Sequence, residues 1–110
     1  MARTALVVNR RSAAADTIEE FYISPANGSG TVIAAFTASN DTVSSKSYKA
    51  YIFNSSGALV SSVIPQTIVV RDRANTGPTI IDQLIPAGGT LRVESSSVDG
   101  LNFFVTGTEQ

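Results

Sequence analysis

Short bursts of alternating apolar and polar residues run through most of the chain. In 90–95, Leu91 and Val93 alternate with Thr90, Arg92 and Glu94, which reads as a strand with one wet face. In 101–107, Leu101, Phe103 and Val105 share a face while Phe104 points the other way. In 47–53, Tyr48, Ala50 and Ile52 oppose Lys49, Tyr51 and Phe53. In 31–38, Val32, Ala34 and Phe36 oppose Ile33, Ala35 and Thr37; in 79–85, Ile80 and Leu84 oppose Ile81 and Ile85. The pattern predicts strands near 4–9, 17–23, 31–39, 47–53, 58–63, 67–72, 79–85, 90–95 and 101–108. Only Arg11 to Glu20, through Ala13-Ala14-Ala15, reads as a helical turn, and at that length an isolated helix is marginal.

Turn chemistry separates these strands about every 10 residues, the spacing of a sandwich or jelly roll. The breaks are Ser24 to Gly30, Asn54-Ser55-Ser56-Gly57, Arg73 to Pro78, Pro86-Ala87-Gly88-Gly89 and Val98-Asp99-Gly100. Asn54 to Gly57 reads as a tight hairpin, with Gly57 free to take positive φ. The expected fold is therefore all-β: one β-sandwich domain over residues 1–110, with about 8–9 short antiparallel strands. Turn spacing does not separate jelly-roll from immunoglobulin-like strand order. Ile23-Ser24-Pro25-Ala26-Asn27-Gly28 echoes Leu84-Ile85-Pro86-Ala87-Gly88-Gly89, each ahead of a strand opening on Thr31 or Thr90. These are either two equivalent corners of a two-sheet fold or common turn chemistry arising twice, the second reading being preferred.

Several strands are apolar on both faces, whereas a sandwich needs one apolar face per sheet. The surplus is covered either by the chain's own loops and termini or by another chain. Phe104, Tyr51 and Phe53 lie opposite the cleaner apolar stripes and are candidates for a contact surface.

Composition narrows the function further. Val, Ile and Thr total 31 residues against 5 Leu, the balance of a β protein. Charged residues make only 15%, while Ser and Thr number 25, so the polarity is mostly neutral hydroxyl. Such a surface meets a partner without a large charge-desolvation cost. The chain has no Cys and no His, which removes thiolate and imidazole chemistry, disulfides and the usual zinc ligands. The net charge of −1 gives no drive toward nucleic acid or an anionic membrane. The apolar run Ala5-Leu6-Val7-Val8 is too short for a signal h-region or a membrane span.

No motif assembles a reactive centre. Glu19-Glu20 is the one adjacent carboxylate pair, and strand neighbours point to opposite faces. The five Asp residues are scattered, so no calcium loop forms. Gly28-Ser29-Gly30 lacks the third Gly and Lys of a phosphate loop, and Gly88-Gly89 precedes a strand where a phosphate cradle needs a helix. Neither a catalytic residue nor a cofactor or metal site is expected. Arg10-Arg11 and Arg71-Asp72-Arg73 are the basic features, the second partly neutralised by Asp72. Arg10, Arg11, Arg71 and Arg73 suit bidentate pairing with partner carboxylates and join the interface candidates.

Three stretches together carry a resemblance: Thr17 to Gly28 with the Pro25-Ala26-Asn27 loop, Leu84 to Val93 with its Pro86-Ala87-Gly88-Gly89-Thr90-Leu91 corner, and Gly100 to Glu109. The central Tyr51-Ile52-Phe53-Asn54 lies between them. Nearly the whole chain resembles small virion proteins of tailed bacteriophages. The resemblance implies a non-enzymatic β-sandwich of the particle, made in the host cytoplasm, serving on the capsid surface or at the neck or tail. The leading expectation is a capsid cement or decoration protein docked on the major capsid protein of the same phage, with self-association as a dimer or trimer. The alternatives are a neck or tail accessory protein and a carbohydrate- or receptor-binding sandwich. Short loops nearly free of aromatic residues weigh against the last.

Overall fold

A computed structural model describes residues 4–11, 13–71, 73–98 and 100–110, with backbone alone at 4, 61–68 and 78. The strands are β1 (Thr4–Arg11), β2 (Ile18–Ile23), β3 (Thr31–Asn40), β4 (Lys46–Phe53), β5 (Leu59–Val70), β6 (Ala74–Ile80), β7 (Gln83–Ile85), β8 (Thr90–Ser95) and β9 (Leu101–Glu109). They form two antiparallel sheets, one ordered β1-β9-β3-β6 with β7 also on β3, the other β2-β8-β4-β5. This is jelly-roll order. The chain behaves as one long antiparallel ribbon with the β4–β5 hairpin at its tip. Going back from the tip, β3 pairs with β6 and β7, β2 with β8, and β1 with β9. Wrapping the ribbon then sets β9 beside β3 and β8 beside β4.

The hairpin forms as its residues dictate. The Asn54 side-chain oxygen accepts from the Ser56 and Ala58 amides at 3.1 and 3.0 Å, and Gly57 takes φ of 84°. The echoed segments are the two crossing corners of the ribbon, lying side by side. The Ser24 amide donates to the Gly89 carbonyl at 2.8 Å, and the Gly88 amide to Ser24 O at 3.2 Å. The likeness that looked like common turn chemistry therefore reflects equivalent positions in a two-sheet fold. A Cβ at Gly89 would lie 2.5 Å from the Phe53 carbonyl, so the corner needs glycine there.

The core lies between the sheets. Phe36 and Phe103 from one sheet meet Phe21 and Tyr48 from the other, with ring centroids 5.4 to 6.1 Å apart. Ile33, Ile85, Leu91, Leu101, Val105 and Ile52 are among the aliphatic residues packed around them, each buried. Burying one such side chain contributes about 1.5–3 kcal/mol. Two hydroxyl contacts tie the sheets together. Tyr48 Oη lies 2.8 Å from Thr79 Oγ1, which donates to the Phe36 carbonyl at 3.1 Å. At the other end Tyr22 Oη donates to the Glu109 carboxylate and sits 3.0 Å from Thr31 Oγ1.

Asn40, only 2% exposed, closes β3. Its Nδ2 donates to the carbonyls of Ser44 (2.8 Å) and Val70 (3.1 Å). Its Oδ1 accepts from the Thr42 amide (2.9 Å) and hydroxyl (2.6 Å). One side chain thereby fixes the β3–β4 loop and staples it to β5.

Five expectations are corrected. The strands read at 58–63 and 67–72 are one strand, β5, running through Pro65 at a register shift on a sheet edge, a place where proline is tolerated. Residue 72 lies outside the described residues, as does Asp99 of the 98–100 turn. Arg73 to Pro78, read as a loop, belongs mostly to β6, with Pro78 opposite Thr37. The stretch 79–85 breaks at Asp82, which adopts φ of 57°, so Ile80 and Ile85 are buried while Ile81 and Leu84 face out. In β3 a bulge at Ala34 puts Ile33 and Phe36 on the inner face together, against strict alternation. Residues 14–17 form bends, not a helical turn. There the Glu19 carboxylate accepts from the Ala13 and Ala14 amides at 3.0 and 2.7 Å, giving that backbone partners no helix supplies.

Candidate interaction surfaces

Each sheet has an outer face, and the two differ in chemistry. On the β1-β9-β3 face, register sets Ala5, Val7 and Asn9 beside Thr108, Thr106 and Phe104, and these beside Thr37 and Ala35. No charged residue enters until Arg11. Phe104 is 40% exposed and Val7 67%. The outward side of Phe104 is thus as the alternation suggested.

The β8-β4 face is charged and internally paired. Tyr51 lies opposite Arg92, and Lys49 opposite Glu94. Tyr51 Oη donates to Glu94 at 2.9 Å. The Arg92 guanidinium covers the Phe53 ring at 4.2 Å from its centroid, while Nε donates to Thr90 Oγ1 at 3.0 Å. Partial burial, then the Glu94 hydrogen bond, raises the Tyr51 phenol above its ordinary pKa. Tyr51 and Phe53 stand together, ring centroids 6.4 Å apart, but on the opposite side of the sandwich from Phe104. The three aromatic candidates do not form one patch. With its ring already stacked and its neighbour's hydroxyl committed, the Tyr51–Phe53 pair is poorly placed to stack a sugar.

The arginine candidates meet at one end. Arg11 is opposite Asn102, which is opposite Ser39; Asn40 is opposite Ala74, next to Arg73. The Arg73 amide donates to Thr42 O at 3.2 Å, and Lys46 pairs with Val70, next to Arg71. Arg10, Arg11, Arg71 and Arg73, all exposed, therefore share the pole of the β3–β4 loop, which sequence spacing alone does not show. Arg11 grips both carboxylate oxygens of Asp41, and that contact lowers the Asp41 pKa. Asp72, the neutralising partner expected from sequence, lies outside the described residues.

A polar hollow of about 170 Å³ is lined by Asp16, Ser47, Tyr48, Lys49, Glu94, Ser95 and Ser96. Its charges are of both signs and nothing in it is arranged as nucleophile and base. Among the described residues, no three His, Cys, Asp or Glu side chains converge as metal ligands. No helix among the described residues is long and apolar enough to cross a membrane.

The Tyr22–Glu109 contact was not legible, since 87 positions separate the partners. Burial, then the Glu109 hydrogen bond, pushes the Tyr22 pKa up to about 12 from 10.0. A group whose folded pKa is raised stabilises the fold below its unfolded value, and that contribution is lost as pH climbs from about 10 to 12. Tyr22→Phe should therefore shallow the alkaline loss of stability, measured as urea midpoint against pH from roughly 9 to 12.

No protein-family model matches the chain, and no curated protein matches it. Among solved structures it is similar to a chain of Bacillus endospore appendages, described as a novel family of disulfide-linked pili. The likeness covers 97% of this chain and 84% of that one, with TM-score 0.55 and 14% identity, and it shows the shared fold. This chain has no Cys, so disulfide linkage is not open to it. Chains from infectious bursal disease virus, Gt and Gx strains, align over 96% of this chain at TM-scores of 0.37 and 0.39 and 11% and 10% identity. This chain spans 32% and 31% of their length, a likeness too low to carry an argument.

Proposed function

We propose that the chain is a non-enzymatic structural subunit of a virion: a cement or decoration protein. In this role residues 1–110 act as one jelly-roll domain, docked on the major capsid protein lattice of a tailed bacteriophage and stabilising the mature head. The observation that carries the reading is the uncharged outer face of β1-β9-β3, with Phe104 exposed on its middle strand. Such a face loses little on leaving water, and an aromatic anchor amid neutral hydroxyl residues is a common form of docking hot spot. The absence of His and Cys, the resemblance to phage virion proteins and a jelly-roll framework shared with a pilus subunit support it. The arginine pole supplies a second contact for partner carboxylates. Docking stabilises the head only if the mature lattice is bound better than its precursor.

The test is stoichiometry in purified virions by quantitative mass spectrometry. Hundreds of copies support a lattice position; a ring of about six or twelve moves the protein to the neck or tail. Absence from particles overturns the proposal. Phe104→Ser should leave the isolated domain folded and weaken docking on particles stripped of the protein by roughly 30-fold, the loss of one hot spot. Loss of cooperative unfolding in that variant would instead assign Phe104 to the core.

A further inference from the structure

An edge strand offers unpaired backbone groups to any extended chain, and natural sheets blunt their edges with bulges, prolines and charge. Three edges of this sandwich are blunted in that way. β2 carries Glu19 and Glu20 and bulges between Glu20 and Tyr22. β5 contains Pro65 and shifts register three times against β4. β6 contains Gly77-Pro78 and shifts register twice against β3, while β7 beside it has three residues. The remaining edge, β1, has neither proline nor bulge, and its only charges are Arg10 and Arg11 at one end. It keeps unbroken register with β9 from Thr4–Glu109 to Arg11–Asn102. It contains no Pro, Gly or acidic residue, and no charge before Arg10. Val7, at its middle, is 67% exposed.

We propose that β1 is a self-association site: β1 of one copy pairs antiparallel with β1 of a second copy, joining their β1-β9-β3-β6 sheets into one. The charge pattern sets the direction of the pairing. Parallel pairing would set Arg10 and Arg11 against the same residues of the copy, and like charges in cross-strand register repel. Antiparallel pairing sends the two arginine pairs to opposite ends and leaves the uncharged Ala5–Asn9 segments facing each other. The arrangement is two-fold and uses the clean edge of both copies, so it closes at a dimer. It leaves Phe104 and the outer face free, and so adds to the docking role without depending on it. A five-residue strand pair buries less than the ~800 Å² per partner of a standard interface, which places the dissociation constant in the roughly micromolar range.

Sedimentation velocity on the purified chain, from roughly 1 to 100 µM, tests this independently of any virion. The wild-type chain is expected to shift from monomer to dimer. Val7→Lys should raise the dissociation constant at least about tenfold while leaving monomer unfolding unchanged, because the side chain is exposed. Phe104→Ser should leave dimerisation intact. Since the chain has no Cys, single cysteines at Ala5, Val7 and Asn9 give a second readout. At least one should form a disulfide dimer on mild oxidation faster than Val43→Cys, placed in a loop at a residue 75% exposed. A wild type monomeric throughout, a Val7→Lys dimer as tight as wild type, or cysteines on β1 no faster than the loop control would overturn the proposal.

Discussion

Replacing Phe103 by alanine is expected to cost about 3–5 kcal/mol, a large share of the ~5–15 kcal/mol that holds a domain of this size. The ring is 1% exposed and contacts Phe21, Phe36 and Tyr48 at once, so truncation opens a cavity where both sheets meet. The four rings are contributed by β2, β3, β4 and β9, and none of these strands can move in to fill the gap without breaking its own ladder. The measurement is the urea midpoint of the isolated domain. Phe104→Ser, one residue away and facing out, should cost only about 1 kcal/mol in the same experiment. Equal losses at the two positions would contradict the sidedness of β9.

Asn40→Asp is expected to be nearly as damaging at neutral pH, by roughly 3 kcal/mol. The amide donates to two carbonyls, and a carboxylate oxygen in its place would face them both without a proton to offer. Burial and those carbonyl dipoles raise the pKa of the introduced acid above the ordinary ~3.9. A raised folded pKa makes the sign definite: relative to wild type at the same pH, the variant is least impaired below about pH 4 and loses further stability as pH rises through the folded value. Paired urea titrations at pH 3 and 7 check this. A destabilisation independent of pH would mean that the site is wet.

Sidedness was the most legible feature of the sequence. β4, β9 and β8 from Leu91 onward alternate, so the inward Tyr48, Leu91 and Phe103 and the outward Tyr51, Arg92 and Phe104 all follow from period two; Thr90, read on the wet face, is buried. Alternation failed where the backbone gained a residue or turned. The Ala34 bulge and the positive φ at Asp82 each flip the phase, and neither Ala nor Asp announces this by itself. β6 was hidden because Gly77 and Pro78 are turn residues that an edge strand tolerates. The candidate surfaces were legible one strand at a time and not as patches. Nothing local says that Arg11 of β1 and Arg73 ahead of β6 meet at one end; that follows from β9 and β3 lying between them. Nothing local marks Asn40, since its partners Ser44 and Val70 are separated by the entire β4–β5 hairpin.

The position of the last two strands has a consequence for biosynthesis. β8 sits between β2 and β4, and β9 between β1 and β3, so one inner strand of each sheet is made after both of the strands that flank it. Until β8 has emerged from the ribosome, β2 has no neighbour in its sheet; until β9 follows, β1 has none and Phe36 lacks the ring it stacks on. A growing chain can form the β4–β5 hairpin and the β3–β6 pairing, but neither sheet is complete. Folding is therefore a late, nearly all-or-none event dominated by distant pairings, and slow for a chain of this length. The clean β1 strand waits through this interval with both edges open, exposed to neighbouring nascent chains before β9 arrives to claim one of them.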